Sequence, residues 1–388
     1  MLFNFLFILI TIAYVFILSV FLIGLFFPNR QRTSHQPSVS VVVAARNEEK
    51  NIGNLLSELV QQTYPKELLE IIIVNDGSED RTGEIIDQFA RTHCHIKHVK
   101  ATLDSKTGLI AKKNALNQGI RQSSGEIILS TDADCHVQST WVETMVSYFV
   151  APVGMVVGFS QLGTADHGYS LFEKLQALDF LSLMAAAQGS LNLGCPLAAS
   201  GQNIAYRKAA FDAVGGFEKI KNRISGDDVL LLQLIRKYTN WEIRFAPDPK
   251  AFNWTEAERT LRSFLNQRKR WASNGSYQLK LNPVFFSFIL TVFLMNAILM
   301  MGTPIYALTY HSIVVPSICL VAKFAIEFLI SLRGAKVFHR LDLVKYFPIW
   351  VILQMPYIIF TGIFGTLGHF IWKDRRYFQE VTTFRVAP

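Results

Sequence analysis

Hydrophobic positions along this chain fall into two kinds of run. Residues 2–27 carry no charge, and neither do residues 283–310, whereas the stretch between them alternates short apolar runs with polar ones. About 20 residues rising about 1.5 Å each cross a bilayer's hydrocarbon core, so the first run predicts a spanning helix with residues to spare. It is longer than a secretory apolar region, has no basic segment before it, and ends at Phe27, Pro28, Asn29 and Arg30 without a small-residue cleavage site, so it reads as an uncleaved anchor. Pro283 to Leu308, Ile313 to Leu332, and Phe347 to Trp372 interrupted by Pro356 predict three further spans.

Between the membrane runs the period changes. Val39 to Ala45 is a short apolar run that ends in Arg46, Asn47, Glu48 and Glu49, the pattern of a buried strand leading into a polar loop. Ile52, Leu55, Leu56, Leu59 and Val60 then recur at helical spacing, and Glu70 to Val74 is a second buried strand. The rhythm continues with a helix around Ile85 to Ala90, a strand near Ile96 to Val99, a helix around Lys113 to Ile120 and a strand at Glu126 to Ser130. Thr140 with Glu143 predicts a capping box at the next helix. Strand, helix and strand in alternation imply an open α/β domain with a mostly parallel sheet, whose ligands bind beyond the carboxyl ends of the strands. After Gly158 the alternation loosens into helical, Gly-rich and Pro-rich pieces running to about Tyr277. The chain thus divides into an anchor (1–28), a globular domain (37–277), C-terminal membrane helices (283–372) and a tail (373–388).

Half of the 388 residues are hydrophobic and the mean hydropathy is positive, which argues against a purely soluble protein. The net charge of +8 is spread over membrane-flanking segments and one cluster near Arg268, a distribution suited to an anionic membrane surface or a phosphate ligand rather than to nucleic acid. Cys94, Cys135, Cys195 and Cys319 lack the close paired spacing of a zinc site or disulfide framework and read as reduced thiols. Arg30 and Arg32 follow the first span and Arg333, Lys336, Arg340 and Lys345 follow the third, while the Tyr310 to Ser312 turn has no Lys or Arg; the globular domain is therefore expected on the cytoplasmic side of the cell membrane. Lys373, Arg375 and Arg376 conflict with a simple four-span count, so the last segment is either re-entrant at Pro356 or an exception to the rule.

Chemistry concentrates where strands end. Asp76, in the run Asn75 to Asp80, is placed to accept hydrogen bonds from a base or ribose, or else belongs to a turn in which Ser78 or Asp80 caps the next helix. Asp132 and Asp134 end the following strand, and carboxylates one residue apart suit a magnesium or manganese ion on a diphosphate, or else a solvated turn. Asp227 and Asp228 precede the apolar run Val229 to Ile235, as helix caps or with Asp228 as a general base. Gln267 to Trp271 lies just before the membrane and serves either as an interfacial belt or as a phosphate-binding arginine beside an acceptor-packing indole. His93, His95 and His98 alternate sides and lack a further ligand at metal-site spacing, and Lys323 with Glu327 falls on one face of a predicted span, where charges are costly.

The order and spacing of Val41 to Glu49, Asn75 to Asp80, Asp132-Ala-Asp134, Gly226-Asp227-Asp228 and Gln267 to Trp271 resemble the inverting glycosyltransferases of family 2, which have a GT-A fold. The resemblance covers Pro37 to about Ser276 and implies that the globular domain is catalytic, with Ala44, Glu48 and Asp76 around the nucleotide and Lys112 or Lys113 near the donor. It implies further that Asp132 and Asp134 hold the donor and a Mg2+ or Mn2+ ion, that Asp228, preceded by Asp227, is the base, and that Gln267, Arg270 and Trp271 serve the acceptor and diphosphate. Ala199 to Asn203 resembles the family's acceptor loop. Asn75 and Asp227 depart mildly from the family pattern, which has Asp at the first position and Glu at the second, and they leave the donor open. The implied activity is transfer of a hexosyl unit from a nucleotide sugar, a UDP-sugar being the leading expectation, to a lipid, lipid-linked or glycan hydroxyl in polysaccharide or glycolipid synthesis. Two rivals stand beside it: a sugar-phosphate nucleotidyltransferase, for which no Gly-rich phosphate loop follows Val43, and a catalytically silent membrane scaffold or export subunit.

Overall fold

Val39–Ala45 is dominated by β-branched and small residues with apolar side chains on both faces, a composition that is buried on both sides only in a parallel sheet covered by helices. The computed structural model describes residues 2–28, 31–102, 108–164 and 169–367, with the backbone of 369–372 and 375–378. Arg30, Lys373 and residues 379–388 of the tail, which entered the orientation and domain readings, lie outside the described residues. The elements run α1 (Leu2–Gly24), β1 (Val39–Ala45), α2 (Ile52–Val60), β2 (Leu69–Asn75), α3 (Thr82–Thr92), β3 (Ile96–Lys100), α4 (Ala111–Arg121), β4 (Ile127–Ser130), β5 (His136–Val137), α5 (Trp141–Val146), β6 (Val153–Gly158), β7 (Ser160–Leu162), α6 (Leu171–Asn192), β8 (Ile204–Arg207), α7 (Lys208–Ala213), α8 (Val229–Tyr238), β9 (Glu242–Ala246) and β10 (Asn253–Thr255). They continue with α9 (Leu261–Ala272), α10 (Gly275–Leu281), α11 (Pro283–Ala297), α12 (Thr303–Tyr310), α13 (Val314–Val337), α14 (Phe347–Leu367), β11 (His369–Trp372) and β12 (Arg375–Phe378). Two compact units divide them: Pro28–His167 with Gly194–Glu256, and Met1–Phe27 with Gly168–Leu193 and Ala257–Pro388.

The first unit is the expected α/β domain of GT-A type. Its seven-stranded sheet has the order β3-β2-β1-β4-β8-β6-β9, and β5-β10-β7 form a second sheet. Pairs β1–β2, β2–β3, β1–β4 and β6–β9 are parallel, while β8 runs antiparallel to both β4 and β6. This inversion matters, because Ile204 at the start of β8 pairs with Ser130 at the end of β4, so the loop entering β8 meets the carboxyl edge of the sheet. Val41, Val43, Leu55, Leu56, Ile71, Ile73, Ile127 and Trp141 are fully buried in the core, each apolar side chain contributing roughly 1.5–3 kcal/mol by its removal from water. A Cβ on Gly119 would lie 2.6 Å from Val42 Cγ1 and 2.8 Å from Val74 Cγ2, so the bare glycine is what lets α4 lie close on β1 and β2. The expected capping box at α5 is not formed: Thr140 turns its hydroxyl to the Lys250 carbonyl at 3.3 Å, and Glu143 accepts from Thr63 instead. Tertiary partners outcompete the local cap there, and the complete capping box is at Ser170 and Glu173, opening α6.

The second unit contains α1, α6 and α9 to α14. Four of its helical stretches are long and apolar enough to cross a membrane: Leu2–Gly24, Pro283–Tyr310, Val314–Val337 and Leu341–Leu367. Helix α1 meets α6 at Gly24 and Gly189, where a Cβ on either would come within 2.0 Å of the other helix's backbone, the close approach that small residues permit between apolar helices. The second stretch carries a single π turn at Ile298–Gly302. The last one departs from expectation, since α14 runs unbroken through Pro356 and ends at Leu367 rather than Trp372. Proline removes one backbone hydrogen bond, and Trp350 and Tyr357 on either side of it both donate to Asp179. Lys323 and Glu327 form the anticipated pair on α13 at 2.7 Å, with Gln354 accepting from the lysine at 3.1 Å and the Tyr14 hydroxyl donating to the glutamate.

Candidate active site

The loops after β1 and β2 are stitched together by backbone amides donating to short side chains. Asn47 N donates to Ser78 Oγ (3.1 Å), Glu48 N to Thr82 Oγ1 (2.7 Å) and Glu49 N to Asp80 Oδ2 (3.1 Å), while Asp80 Oδ1 accepts from Thr82 N at 3.0 Å. Asp80 thus performs the turn role considered for this run. Asp76 follows directly, half-buried, its amide donating to the Ala45 carbonyl at 2.9 Å, and Gly77 supplies the left-handed φ of 69° that turns the chain away. Ala44 is the one residue of β1 that is not fully buried, and the Glu48 carboxylate is braced by Asn51 Nδ2 at 2.9 Å. Adjacent strand ends therefore present Ala44, Glu48 and Asp76 at one sheet edge.

Along the same edge Lys112, in the first turn of α4, gathers the acids. Its Nζ lies 2.6 Å from Asp132 Oδ1 and 2.9 Å from Asp227 Oδ2. Asp228 stands beside them, its Oδ2 accepting from Gly201 N at 2.8 Å and its Oδ1 capping α8 through Val229 N at 2.6 Å. A Cβ on Gly201 would lie 3.2–3.4 Å from Asp227, Lys112 and Asp228, so the bare backbone of the loop entering β8 forms a wall of the cluster. Two buried asparagines set that wall. Asn203 accepts from Trp141 Nε1 and donates to the carbonyls of Phe159 and Ala251, whereas Asn253 Nδ2 joins Thr131 Oγ1 at 3.1 Å to the Gln202 carbonyl. Neither asparagine was singled out for such a role by sequence, because an asparagine at a strand end has no periodic signature.

Electrostatics separate the two neighbouring acids. Burial pushes the Asp228 carboxyl up, and the charge of Asp227 raises it further. Burial also opposes ionisation of Asp227, but the Lys112 ammonium more than offsets this and holds its pKa below the usual aspartate value. The two neighbouring carboxyls are thus pushed in opposite directions. Lys113, the other lysine considered, points elsewhere: it is fully buried and donates to the carbonyls of Arg223 and Ser225, holding the loop that leads to Asp227. Asp134 is exposed after Asp132, its carbonyl accepting from Thr255 Oγ1 at 3.2 Å. Two carboxylates form the sparse oxygen donor set that magnesium or manganese accepts when a diphosphate and water complete the shell, and no group of three or more ligating side chains occurs among the described residues. Of the histidines, His98 Nδ1 pairs with Asp87 at 2.7 Å, and the rings of His93 and His95 meet edge to face.

Gln267, Arg270 and Trp271 lie on α9 in the other unit, all half-buried. Gln267 Nε2 donates to Glu258 Oε1 at 3.2 Å, and Trp271 carries the Arg268 guanidinium over its ring at 4.1 Å.

Residues 40–213 match the model of glycosyl transferase family 2, and residues 127–364 match that of glycosyl transferase family group 2. This chain belongs to glycosyltransferase family 2. Among relatives of the family 2 chain, the probable glycosyltransferase YdaM of Bacillus subtilis is 33% identical over 258 residues, covering 64% of this chain and 57% of that protein. The poly-beta-1,6-N-acetyl-D-glucosamine synthase of Staphylococcus epidermidis is 29% identical over 63% of this chain and 56% of its own length, and the beta-monoglucosyldiacylglycerol synthase of Synechocystis is 30% identical over 62% and 48%. The matched region spans about half the length of these relatives. In fold, the family 2 chain is similar to the mannosyltransferase PcManGT of Pyrobaculum calidifontis, solved with GDP-Man and Mn2+, at a TM-score of 0.60 and 18% identity over 94% of this chain and 98% of that one.

Proposed function

We propose that this protein is a multi-pass membrane glycosyltransferase with its α/β domain in the cytoplasm, moving a sugar from a UDP-sugar to a lipid or glycan hydroxyl with inversion. The observation that carries the proposal is the sharing of Lys112 between Asp132 and Asp227 beside Asp228, which draws acids nearly a hundred residues apart into one cluster. The products named for the Staphylococcus and Synechocystis relatives, a glycan and a glycolipid, support the acceptor class.

In this reading Ala44, Glu48 and Asp76 receive the nucleotide, and Lys112 offers its ammonium to the donor's phosphates. A divalent cation held by Asp132 and Asp134 would supply neutralisation of charge on the leaving diphosphate. Asp228 Oδ2 takes the proton of the acceptor hydroxyl as its oxygen bonds to the anomeric carbon and the bond to the diphosphate oxygen breaks. Displacement from the opposite face inverts the configuration. The raised pKa of Asp228 increases its basicity, and the fixed anion of Asp227 keeps Lys112 in place. Gln267, Arg270 and Trp271 serve the acceptor and the departing diphosphate.

The test is a panel of nucleotide sugars offered to the full chain in lipid nanodiscs with Mn2+ or Mg2+ and with diacylglycerol or N-acetylglucosamine oligosaccharide acceptors, reading nucleoside diphosphate release and product anomer. Release of diphosphate with an inverted product supports the proposal. Release of pyrophosphate, or a retained configuration, sinks it.

A further inference from the structure

Between the signature residues Gln267 and Trp271 lies Arg268, a cation almost wholly excluded from solvent. Its Nη2 pairs with Asp179 Oδ2 at 2.8 Å, the two side chains being only 4% and 3% exposed. Asp179 is on α6 and is saturated: its Oδ1 also accepts from Trp350 Nε1 at 3.2 Å and from the Tyr357 hydroxyl, both on α14. Arg268 in turn touches two of the three side chains expected to serve the acceptor and diphosphate, donating from Nη1 to Gln267 Oε1 at 3.4 Å and carrying its guanidinium carbon 4.1 Å from the centre of the Trp271 ring, with the Phe264 ring at 4.8 Å. Helix α14 is pressed on the same turn of α9, since a Cβ on Gly365 would lie 2.8 Å from the Lys269 carbonyl.

A buried ion pair contributes little net stability, because desolvation of both charges offsets their attraction, so fold stability alone is a weak account of this one. What the arrangement does supply is direction. Side chains on an amphipathic helix rotate freely about χ1 and χ2 unless something fixes them, and a planar guanidinium anchored at one end can fix an indole face and an amide at the other.

We propose that Asp179 and Arg268 are positioning residues for acceptor binding: Asp179 anchors Arg268, and Arg268 sets the orientation of Trp271 and Gln267. The inference rests on the reading of Trp271 as an acceptor-contacting residue. It is tested with Arg268→Lys, which keeps a cation for Asp179 but loses the flat stacking face and the second hydrogen bond. Acceptor and donor KM are measured on the full chain in nanodiscs, with UDP-N-acetylglucosamine or UDP-glucose as donor and dioleoylglycerol or a β-1,6-linked N-acetylglucosamine oligosaccharide as acceptor. The expected result is an acceptor KM raised about five- to tenfold, the worth of a desolvated cation–π contact, with donor KM within about twofold of wild type and an unchanged unfolding midpoint. A loss of folded protein would lower turnover without moving acceptor KM, so that parameter separates positioning from scaffolding. Combining Arg268→Lys with Trp271→Ala should raise acceptor KM by less than the product of the two single effects. A wild-type acceptor KM in Arg268→Lys, or effects that multiply in the double variant, overturns the inference. A wild-type acceptor KM in Trp271→Ala overturns instead the reading beneath it.

Discussion

The two units build their clusters of buried acids and bases on opposite plans. In the helical unit Asp179, Arg268, Trp350 and Tyr357, and likewise Lys323, Glu327, Tyr14 and Gln354, are closed sets: each charge has its counter-charge, neutral donors or acceptors add further hydrogen bonds, and no member of either charged pair is appreciably exposed. In the α/β unit two carboxylates share one lysine beside a third, Lys112 and Asp132 retain 18% and 31% exposure, and Asp228 accepts from the backbone amides of Gly201 and Val229. A closed set fixes geometry, whereas an over-acidic and partly open one has room, in the proposed function, for an incoming cation and a proton. On that reading unbalanced buried charge, rather than buried charge as such, is what distinguishes the site.

The contrast can be broken most sharply at Asp228. Asp228→Asn should lower turnover by about 10² to 10⁴ while leaving donor affinity in place, as read by diphosphate release beside equilibrium donor binding. Its folded-state pKa is raised, so the group contributes stability at acid pH that is lost as pH rises through the folded value. Ionised Asp228 therefore costs stability at neutral pH, whereas the amide variant loses one of the two backbone hydrogen bonds that the carboxylate accepts; these oppose each other, so the loss of turnover should far exceed any change in unfolding temperature. Turnover of the native enzyme should correspondingly fall on acidification at a pH above the ordinary aspartate pKa, and an acid limb at or below that value would remove the base assignment.

Lys323→Met tests the closed plan from the other side. Leaving Glu327 buried without its cation should cost about 3–5 kcal/mol in thermal or denaturant unfolding, with kcat of the surviving folded protein unchanged. A kcat loss at full stability would mean that this set, too, belongs to the chemistry.

Asp132→Ala should weaken Mn2+-dependent donor binding about tenfold or more by calorimetry, the loss of one charge-assisted contact, and should leave unfolding nearly untouched because Asp132 is partly exposed. The smallest effect is expected at Lys113, whose ammonium burial lowers to about 8. Between about pH 8 and 10.4 the folded chain binds fewer protons there than the unfolded chain, so stability should rise with pH over that window. Lys113→Met should flatten that rise in a plot of unfolding midpoint against pH.

Much of the architecture was legible before any coordinates. Strands β1, β2 and β4 are short apolar runs closed by polar loops and alternate with helices, so period and composition carried these elements and the parallel pairing of β1 with β2 and β4, but not the antiparallel pairing of β4 with β8. The apolar runs fixed the candidate spans for the same reason: length and lack of charge are local properties. Where local rules met tertiary competition they failed, as when Thr140 gave up its cap for the Lys250 carbonyl and when α14 continued through Pro356, with Asp179 accepting from residues on both sides of the gap.

Of the acidic positions, sequence spacing named Asp132, Asp134, Asp227 and Asp228 but could not say what each touches. That was decided by the antiparallel entry of β8, which delivers Gly201 to Asp228, and by the glycine contact at Gly119, which seats α4 so that Lys112 rather than Lys113 reaches the carboxylates. Asp179 left one faint trace, a single acid in the middle of an apolar helix, and Arg268 was hidden inside a motif whose other members drew notice. Which residues can carry charge is written along the chain; which charges end up balanced depends on long-range packing, because Coulomb attraction acts across space and is indifferent to sequence separation.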